Sequence, residues 1–456
     1  MKREIILISA VLIGLLACNE NNLEDTIPSK LEEPKVSLKS YEYNYKDREL
    51  LEISSLLLKE EDYSEGSPTA RMISSQDNSE RIRDLELSYL GLGQEKDSLI
   101  VAVHNIQTGN AVILSKDKRT DPILGYVDDY NATFIPPEMK FYLSSTADAL
   151  SEEIDEAMKS PEISAKLKGL DGNINAYFTD LAKQKAENIR KSIFARQATR
   201  ERRSLDDIMR HENVAYVKGP YIQTEWRQRN SFIKKYHPNE KGVEGCTVTA
   251  IGQILNYYGD YVSEIHFGNP FGGRYYDKFT KKSFSYPFKN SSLDHEDYEE
   301  ILFNISEQIT RGHDSGRSAI VTNPVPFTRD LRTFIEKHVK GVRIDDESGL
   351  FNVRRPDEHY IIKAIKEGYP AIAGGSEPWY NGYRKGHAWV CDGVVCVRVK
   401  RGFIVKWTEH KYYIHMNWGW GGDGNGWFFN NGNDRYKTSD ANREILVMFS
   451  VAPDKK

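Results

Sequence analysis

The chain has 456 residues, 39% hydrophobic and 28% charged, with a mean hydropathy of −0.60; this composition excludes a bundle of membrane spans, and the length suits two or three domains of about 150 residues. A net charge of −5 leaves no basic field to hold nucleic acid. Four Cys without a CxxC pair exclude a disulfide scaffold and a paired-cysteine zinc site, so each Cys needs its own account.

At the start, Lys2 and Arg3 precede an apolar run from Ile5 to Leu16 that is too short to span a bilayer as a mature helix. Residues 1–17 therefore read as a secretory signal. A small residue directly before Cys, in Leu15-Leu16-Ala17-Cys18, resembles a bacterial lipobox, which implies export and a lipid on Cys18. The alternative is an ordinary signal peptide with an incidental Cys. Residues 18–40, opening on polar Asn19 to Asn22, suit a tether.

All seven Trp and 25 of the 33 Gly follow residue 212, which divides the chain into two compositionally different domains, 41–195 and 213–456. Between them Arg190 to Arg203 carries six basic residues and one acid, without a sustained apolar stripe. It reads as an exposed connector open to proteolytic nicking, with the activation linker at 196–212.

In the first half, Leu50, Leu51, Ile53, Leu56 and Leu57 recur at helical spacing between Asp47 and Glu60. Two β-rich runs flank Thr108-Gly109-Asn110 between Ser98 and Leu114, and Pro122 to Tyr126 continues as a strand. Pro136-Pro137 then precedes a long helical region from Glu138 to about Ala195. His104 falls in a strand as a structural residue. Read from its residues alone, this half is a small α+β domain without chemistry.

The second half carries the chemistry. Apolar residues at 250, 251, 254, 255 and 258 fit one face of a helix starting at or just after Cys246. A thiol there meets unpaired backbone N–H groups and the positive end of the helix dipole, which favour the nucleophilic thiolate. Gly386-His387-Ala388-Trp389-Val390 opens an alternating strand, and Tyr412 to Trp418 forms another that runs into the Gly-rich segment Gly419 to Gly426, a candidate mobile wall of a cleft. A nucleophilic Cys needs an imidazole within reach and a third group to orient it. His387, 141 residues after Cys246, and Asn417 are candidates for these roles. His415 is a minor rival for the base, and Asp392 reads as a turn residue. Cys391 and Cys396 alternate sides of a strand and are expected to be free thiols.

Three blocks, G-C-T-V-T-A-I-G-Q-I-L, G-H-A-W-V-C-D-G and M-N-W-G-W-G-G, in this order, resemble the streptopain family of papain-like cysteine peptidases over about residues 213 to 450. The resemblance implies an α+β, papain-like catalytic domain with Cys246 as nucleophile, His387 as general base and acid, Asn417 orienting the imidazole and Trp418 covering that hydrogen bond. It also suggests Gln228 as an oxyanion donor beside the Cys246 N–H, with Gly386 and Ser318 lining the substrate cleft. Gly109 to Tyr126 is similar to a motif of streptopain-type prodomains and related inhibitors, with Ser115-Lys116-Asp117 where Ser-Ala-Asp is common. The whole chain then reads as the zymogen of a cysteine endopeptidase needing no metal or organic cofactor. Its partners are protein or peptide substrates, its own prodomain as intramolecular inhibitor and, before processing, a membrane through Cys18, with a mature enzyme that is periplasmic or secreted. A cysteine amidase acting on cell-wall peptides and a non-catalytic secreted inhibitor or binding protein are the alternatives.

Overall fold

Helix, hairpin and strand follow one another in the first half as the residue periodicity requires. A computed structural model describes residues 43–58, 82–159, 214–228, 245–259, 324–345, 358–376, 386–401, 407–430 and 444–454, with short or single positions between them. Cys18, the tether, the basic connector and Ser318 lie outside the described residues.

Helix α1 (Asp47–Leu57) turns Leu50, Ile53 and Leu57 into the core. The Glu49 carboxylate accepts the Lys46 N–H at 2.7 Å, closing the first turn. Strand β1 (Leu85–Ser88), the short helix α2 (Gln94–Asp97) and strands β2 (Ile100–Asn105), β3 (Ala111–Ser115) and β4 (Ile123–Val127) follow, with the four strands paired as an antiparallel meander. Gly109 takes φ 76° in the β2–β3 turn, a left-handed conformation that suits glycine. Helix α3 (Pro137–Lys159) starts with proline at its first position, where the missing N–H costs nothing. The sequence reading carried this helical region to about Ala195; only isolated positions are described beyond Lys159.

The second half contributes β5 (Val214–Lys218), α4 (Cys246–Tyr257), β6 (Glu264–His266), β7 (Ser283–Phe284), α5 (Pro324–His338), β8 (Val339–Lys340), β9 (Val342–Asp345) and α6 (Glu358–Lys366). It closes with β10 (Ala371–Ser376), β11 (Gly386–Arg401), β12 (Trp407–Asn417), β13 (Gly426–Asn430) and β14 (Glu444–Pro453). Ten strands run in the order β1-β2-β3-β4-β13-β12-β11-β10-β14-β9, and β5 adds to β11 as the eleventh. Every strand pair in this sheet is antiparallel.

The β4–β13 pair joins the two halves, with Gly426 opposite Val127, Trp427 opposite Tyr126 and Phe428 opposite Gly125. Two glycines permit this seam. A Cβ on Gly426 would fall on the Tyr126 carbonyl oxygen, and one on Gly125 would stand 3.1 Å from both the Phe428 ring and the Trp427 carbonyl oxygen. The compositional boundary is therefore bridged by backbone hydrogen bonds, and residues from Glu42 onward form one compact unit.

The sheet is covered on both faces. Along β11, Ala388 and Val390 belong to the core around α4, whereas Trp389 and Cys391 belong to the core beneath α3, as the two-residue period of a strand demands. Helix α4 is buried at every position from Cys246 to Leu255, which identifies it as a central helix. The chain is thus a mixed helix and strand protein built on one large antiparallel sheet.

Candidate active site

Cys246 is the first residue of α4, and Gly245 before it has φ 96°, a left-handed turn that brings the chain into the helix. The Ala388 N–H of β11 donates to Cys246 Sγ at 3.2 Å. Strand β11 thus holds the nucleophile candidate by its backbone while carrying the base candidate, His387, one residue earlier.

The thiol at this site is neutral. Burial pushes its pKa up to about 12, and the nearby Glu138 carboxylate pushes in the same direction; hydrogen bonds from the Ala388 N–H and Thr247 act the other way and are outweighed. The helix-terminus reading favoured a thiolate. In the described state desolvation wins over the dipole, because Cys246 is only 4% exposed within the core around α4.

Glu138 is the residue that sequence reasoning missed. It stands in the first turn of α3 and is buried. One carboxylate oxygen, Oε1, accepts from Gln228 Nε2 at 3.2 Å and lies 3.9 Å from His387 Nδ1. The other, Oε2, accepts from the Trp420 indole N–H at 2.5 Å. The His387 ring packs against Phe141, one helical turn further along α3, at 5.3 Å between centroids. The first half therefore has chemistry after all: its helix delivers an anion among Cys246, His387 and Gln228. The sequence signal was weak, since an acid in the first turn is also the ordinary complement to a helix N-terminus.

Gln228 lies in a described stretch, 219–228, that has neither helix nor strand. Its backbone N–H donates to the Gly419 carbonyl at 3.1 Å, and the Gly421 N–H donates to the Trp226 carbonyl at 3.1 Å. Arg227 pairs with Asp423. The Gly-rich segment expected to be a mobile wall is held from this side, and from the other by the Gly424 N–H donating to the Asp129 carbonyl at 2.8 Å.

The structure surrounds the Asn417 amide with partners other than His387. Its Nδ2 donates to the Thr224 carbonyl at 3.0 Å and to Gln253 Oε1 at 3.1 Å, and its Oδ1 accepts from Gln253 Nε2 at 3.2 Å and the Gly419 N–H at 3.0 Å. Two donors and two acceptors fill the capacity of one amide. Trp418 is fully buried on the α3 face, donating to the Gly424 carbonyl and packing against Trp389, Phe428 and Tyr142 of α3. Gly386 begins β11 opposite Ser376.

Asp392 is not in a turn. It sits fully buried at a bulge in β11, where its carboxylate meets His415 Nδ1 at 2.7 Å and accepts the Ile222 N–H at 2.8 Å. His415 stacks edgewise on Trp427, so these contacts give the rival base a structural place. Cys391 and Cys396 are buried free thiols; burial raises both pKa values, that of Cys396 to about 11.

The pattern of the Peptidase C10 family matches residues 341–428, a span that contains His387, Asn417, Trp418 and Trp420. Streptopain of Streptococcus pyogenes serotype M28 is 22% identical over 372 residues, covering 76% of this chain and 77% of that protein. The serotype M1 streptopain gives the same identity and coverage. The chain is similar to streptopain-family cysteine peptidases, and these matches support a cysteine-type peptidase. Among solved structures, a prointerpain A fragment from Prevotella intermedia covers 82% of this chain at 15% identity, with a TM-score of 0.41.

Proposed function

We propose that this cysteine peptidase is made as a latent zymogen, in which residues 41–195 inhibit a papain-like endopeptidase domain at 213–456, with Cys246 and His387 as its catalytic pair. The carrying observation is the Glu138 carboxylate, which comes from the first half and is bound by Gln228 beside His387 and Cys246. An anion held there occupies the place that a developing oxyanion needs, and its charge opposes formation of the thiolate.

Removal of α3 would withdraw the Glu138 charge, reversing the second of the two causes of the raised Cys246 pKa. The Ala388 N–H, Thr247 and the helix N-terminus then favour thiolate. Sγ attacks the peptide carbonyl carbon; the C=O π pair moves to oxygen, where the Cys246 N–H and Gln228 Nε2 stabilise it. His387 as imidazolium gives its proton to the amine nitrogen as the C–N bond breaks and leaves the thioester. It then takes a proton from water as that water attacks the thioester, and collapse of this second intermediate breaks the C–S bond to release the acid and the Cys246 thiolate. In this scheme Asn417, whose amide bonds Thr224, Gln253 and Gly419, acts on the wall carrying Gln228, and Trp418 contributes the hydrophobic bed beneath the strand.

The sequence supports export by the signal at 1–17, with lipid on Cys18 tethering the precursor and cleavage near 190–212 releasing the enzyme. Covalent linkage holds the inhibitor at high effective concentration until that cut. Incubation with casein tests the reading: processed wild type cleaves, whereas Cys246→Ala loses activity by several orders of magnitude and keeps its thermal midpoint. Comparable cleavage by the Ala protein would sink the assignment.

A further inference from the structure

Gln253 is fully buried near the middle of α4 and belongs to none of the roles assigned above. It lies seven residues after Cys246, two helical turns, so both residues project from the same face about 10 Å apart along the axis. Its amide forms a reciprocal pair with Asn417, Nε2 to Oδ1 at 3.2 Å and Nδ2 to Oε1 at 3.1 Å. The same Oε1 also accepts the Trp226 N–H at 3.3 Å and the Thr224 hydroxyl at 3.2 Å. Next to it, Gly252 lets the Trp226 ring lie against the helix: a Cβ there would stand 3.0 Å from that ring.

These contacts converge on the segment that ends in Gln228. Residues 224–228 have only an isolated bridge, Arg227 with Trp420, as regular pairing, so side-chain amides share with a few backbone bonds to the 419–421 turn the task of fixing their position. Asn417 Nδ2 holds the Thr224 carbonyl, and Gln253 Oε1 holds the Thr224 hydroxyl and Trp226 N–H. The far end is fixed by the Gln228 N–H on the Gly419 carbonyl, and Gly419 is itself bound to Asn417 Oδ1. Gln253 and Asn417 thus act as one amide clamp referenced to the helix that carries the nucleophile.

We propose that Gln253 is a positioning residue for the oxyanion donor: it sets the distance between Gln228 Nε2 and Cys246 by tying the 224–228 segment to α4 through the Asn417 amide. The proposal rests on Cys246 as nucleophile and Gln228 as donor. A misplaced donor withholds stabilisation from the transition state while leaving substrate binding and intrinsic thiol reactivity largely intact. Losing the clamp should therefore appear in kcat.

The test compares Gln253→Met, which removes donor and acceptor at similar length, with Gln253→Glu, which keeps the acceptor for Trp226 and Thr224 but loses the donor to Asn417. Each is made as the full chain and processed in trans by wild-type enzyme. Three quantities are measured: peptide kcat and KM, inhibition by a peptide aldehyde whose thiol adduct forms an oxyanion, and alkylation of Cys246 by iodoacetamide, which forms none. For Gln253→Met the expected result is a fall of about 100-fold in kcat, with a parallel loss of aldehyde affinity and with KM and alkylation within about threefold of wild type. Gln253→Glu should fall between, and it carries the test should the Met protein not fold. Equal losses in turnover and alkylation, or kcat within threefold of wild type, overturn the positioning role. A wild-type enzyme whose Cys246 resists alkylation and whose peptide turnover does not depend on that thiol overturns the underlying reading, and this one with it.

Discussion

Replacing Glu138 by Gln in the uncleaved chain removes one carboxylate from the candidate catalytic centre while keeping the side-chain shape. With the Cys246 pKa pushed up to about 12, the thiolate fraction at pH 7 is about 10⁻⁵, against a few per cent for an ordinary cysteine. Burial is the larger cause and stays in place; the carboxylate is the second. A close like charge moves a pKa by roughly one to two units, so Glu138→Gln should lower the Cys246 midpoint by that much and raise the thiolate population at least tenfold at a given pH. Thiolate absorbance at 240 nm reports this without requiring reagent access. Each titration is taken as the difference from its Cys246→Ala counterpart, which cancels tyrosines, Cys391 and Cys396. The linkage sign follows: a pKa raised in the folded zymogen means that folding favours the protonated thiol. That contribution is fully present below the unfolded value near 9 and is lost as pH rises towards 12, so the closed state should weaken on the alkaline side. Coincident midpoints for wild type and Glu138→Gln, or a thiolate band in the wild-type zymogen at pH 7, would refute the electrostatic part of latency.

Gly426→Ala should strain the β4–β13 seam, since the new methyl meets the Tyr126 backbone; a loss of about 1–3 kcal/mol is expected in urea unfolding of the zymogen, with faster processing, and unchanged stability would count against the seam. Asp121→Ala removes the carboxylate facing the buried Lys411 ammonium, which also lies over the Phe429 ring at 5.2 Å. A loss of about 3 kcal/mol is expected by the same measurement, partly restored by Asp121→Glu, and a change below about 0.5 kcal/mol would place the pair among weak surface bridges.

What could be read in the sequence was what depends on local pattern. The spacing of Leu50, Ile53 and Leu57 gives α1, the Thr108-Gly109-Asn110 turn gives the β2–β3 hairpin, and the apolar face after Cys246 gives α4, because each is written within a few residues. Contacts between distant segments were not legible. Glu138 and Gln228 are 90 residues apart, and nothing local distinguishes an acid that enters another domain from one that complements its own helix. Gln253 stood inside the G-C-T-V-T-A-I-G-Q-I-L block as an apparent helix residue; its partners Thr224, Trp226 and Asn417 come from two other parts of the chain. Asp392 looked like a turn because Asp-Gly usually marks one, whereas a bulge accommodates it within β11.

Under the proposed latency, the alternation of β11 lets a helix on one face of the sheet act on a nucleophile presented from the other. The even residues Ala388 and Val390 face the core around α4, and the Ala388 N–H reaches Cys246. The odd residues turn the other way: Phe141 of α3 packs against His387 at 5.3 Å and against Trp389 at 6.4 Å, and Tyr142 meets Trp389 edge-on. A helix laid on the odd face therefore grips the base directly, and by starting beside the first residues of β11 it also passes a carboxylate around the strand's end to Gln228. The nucleophile's own support, α4 against Ile372, Ala388 and Val390, belongs to a separate core with no α3 residue in it. The base candidate thus shares the α3 face of β11 while the helix that presents Cys246 packs on the other, so α3 can leave without unpacking that helix.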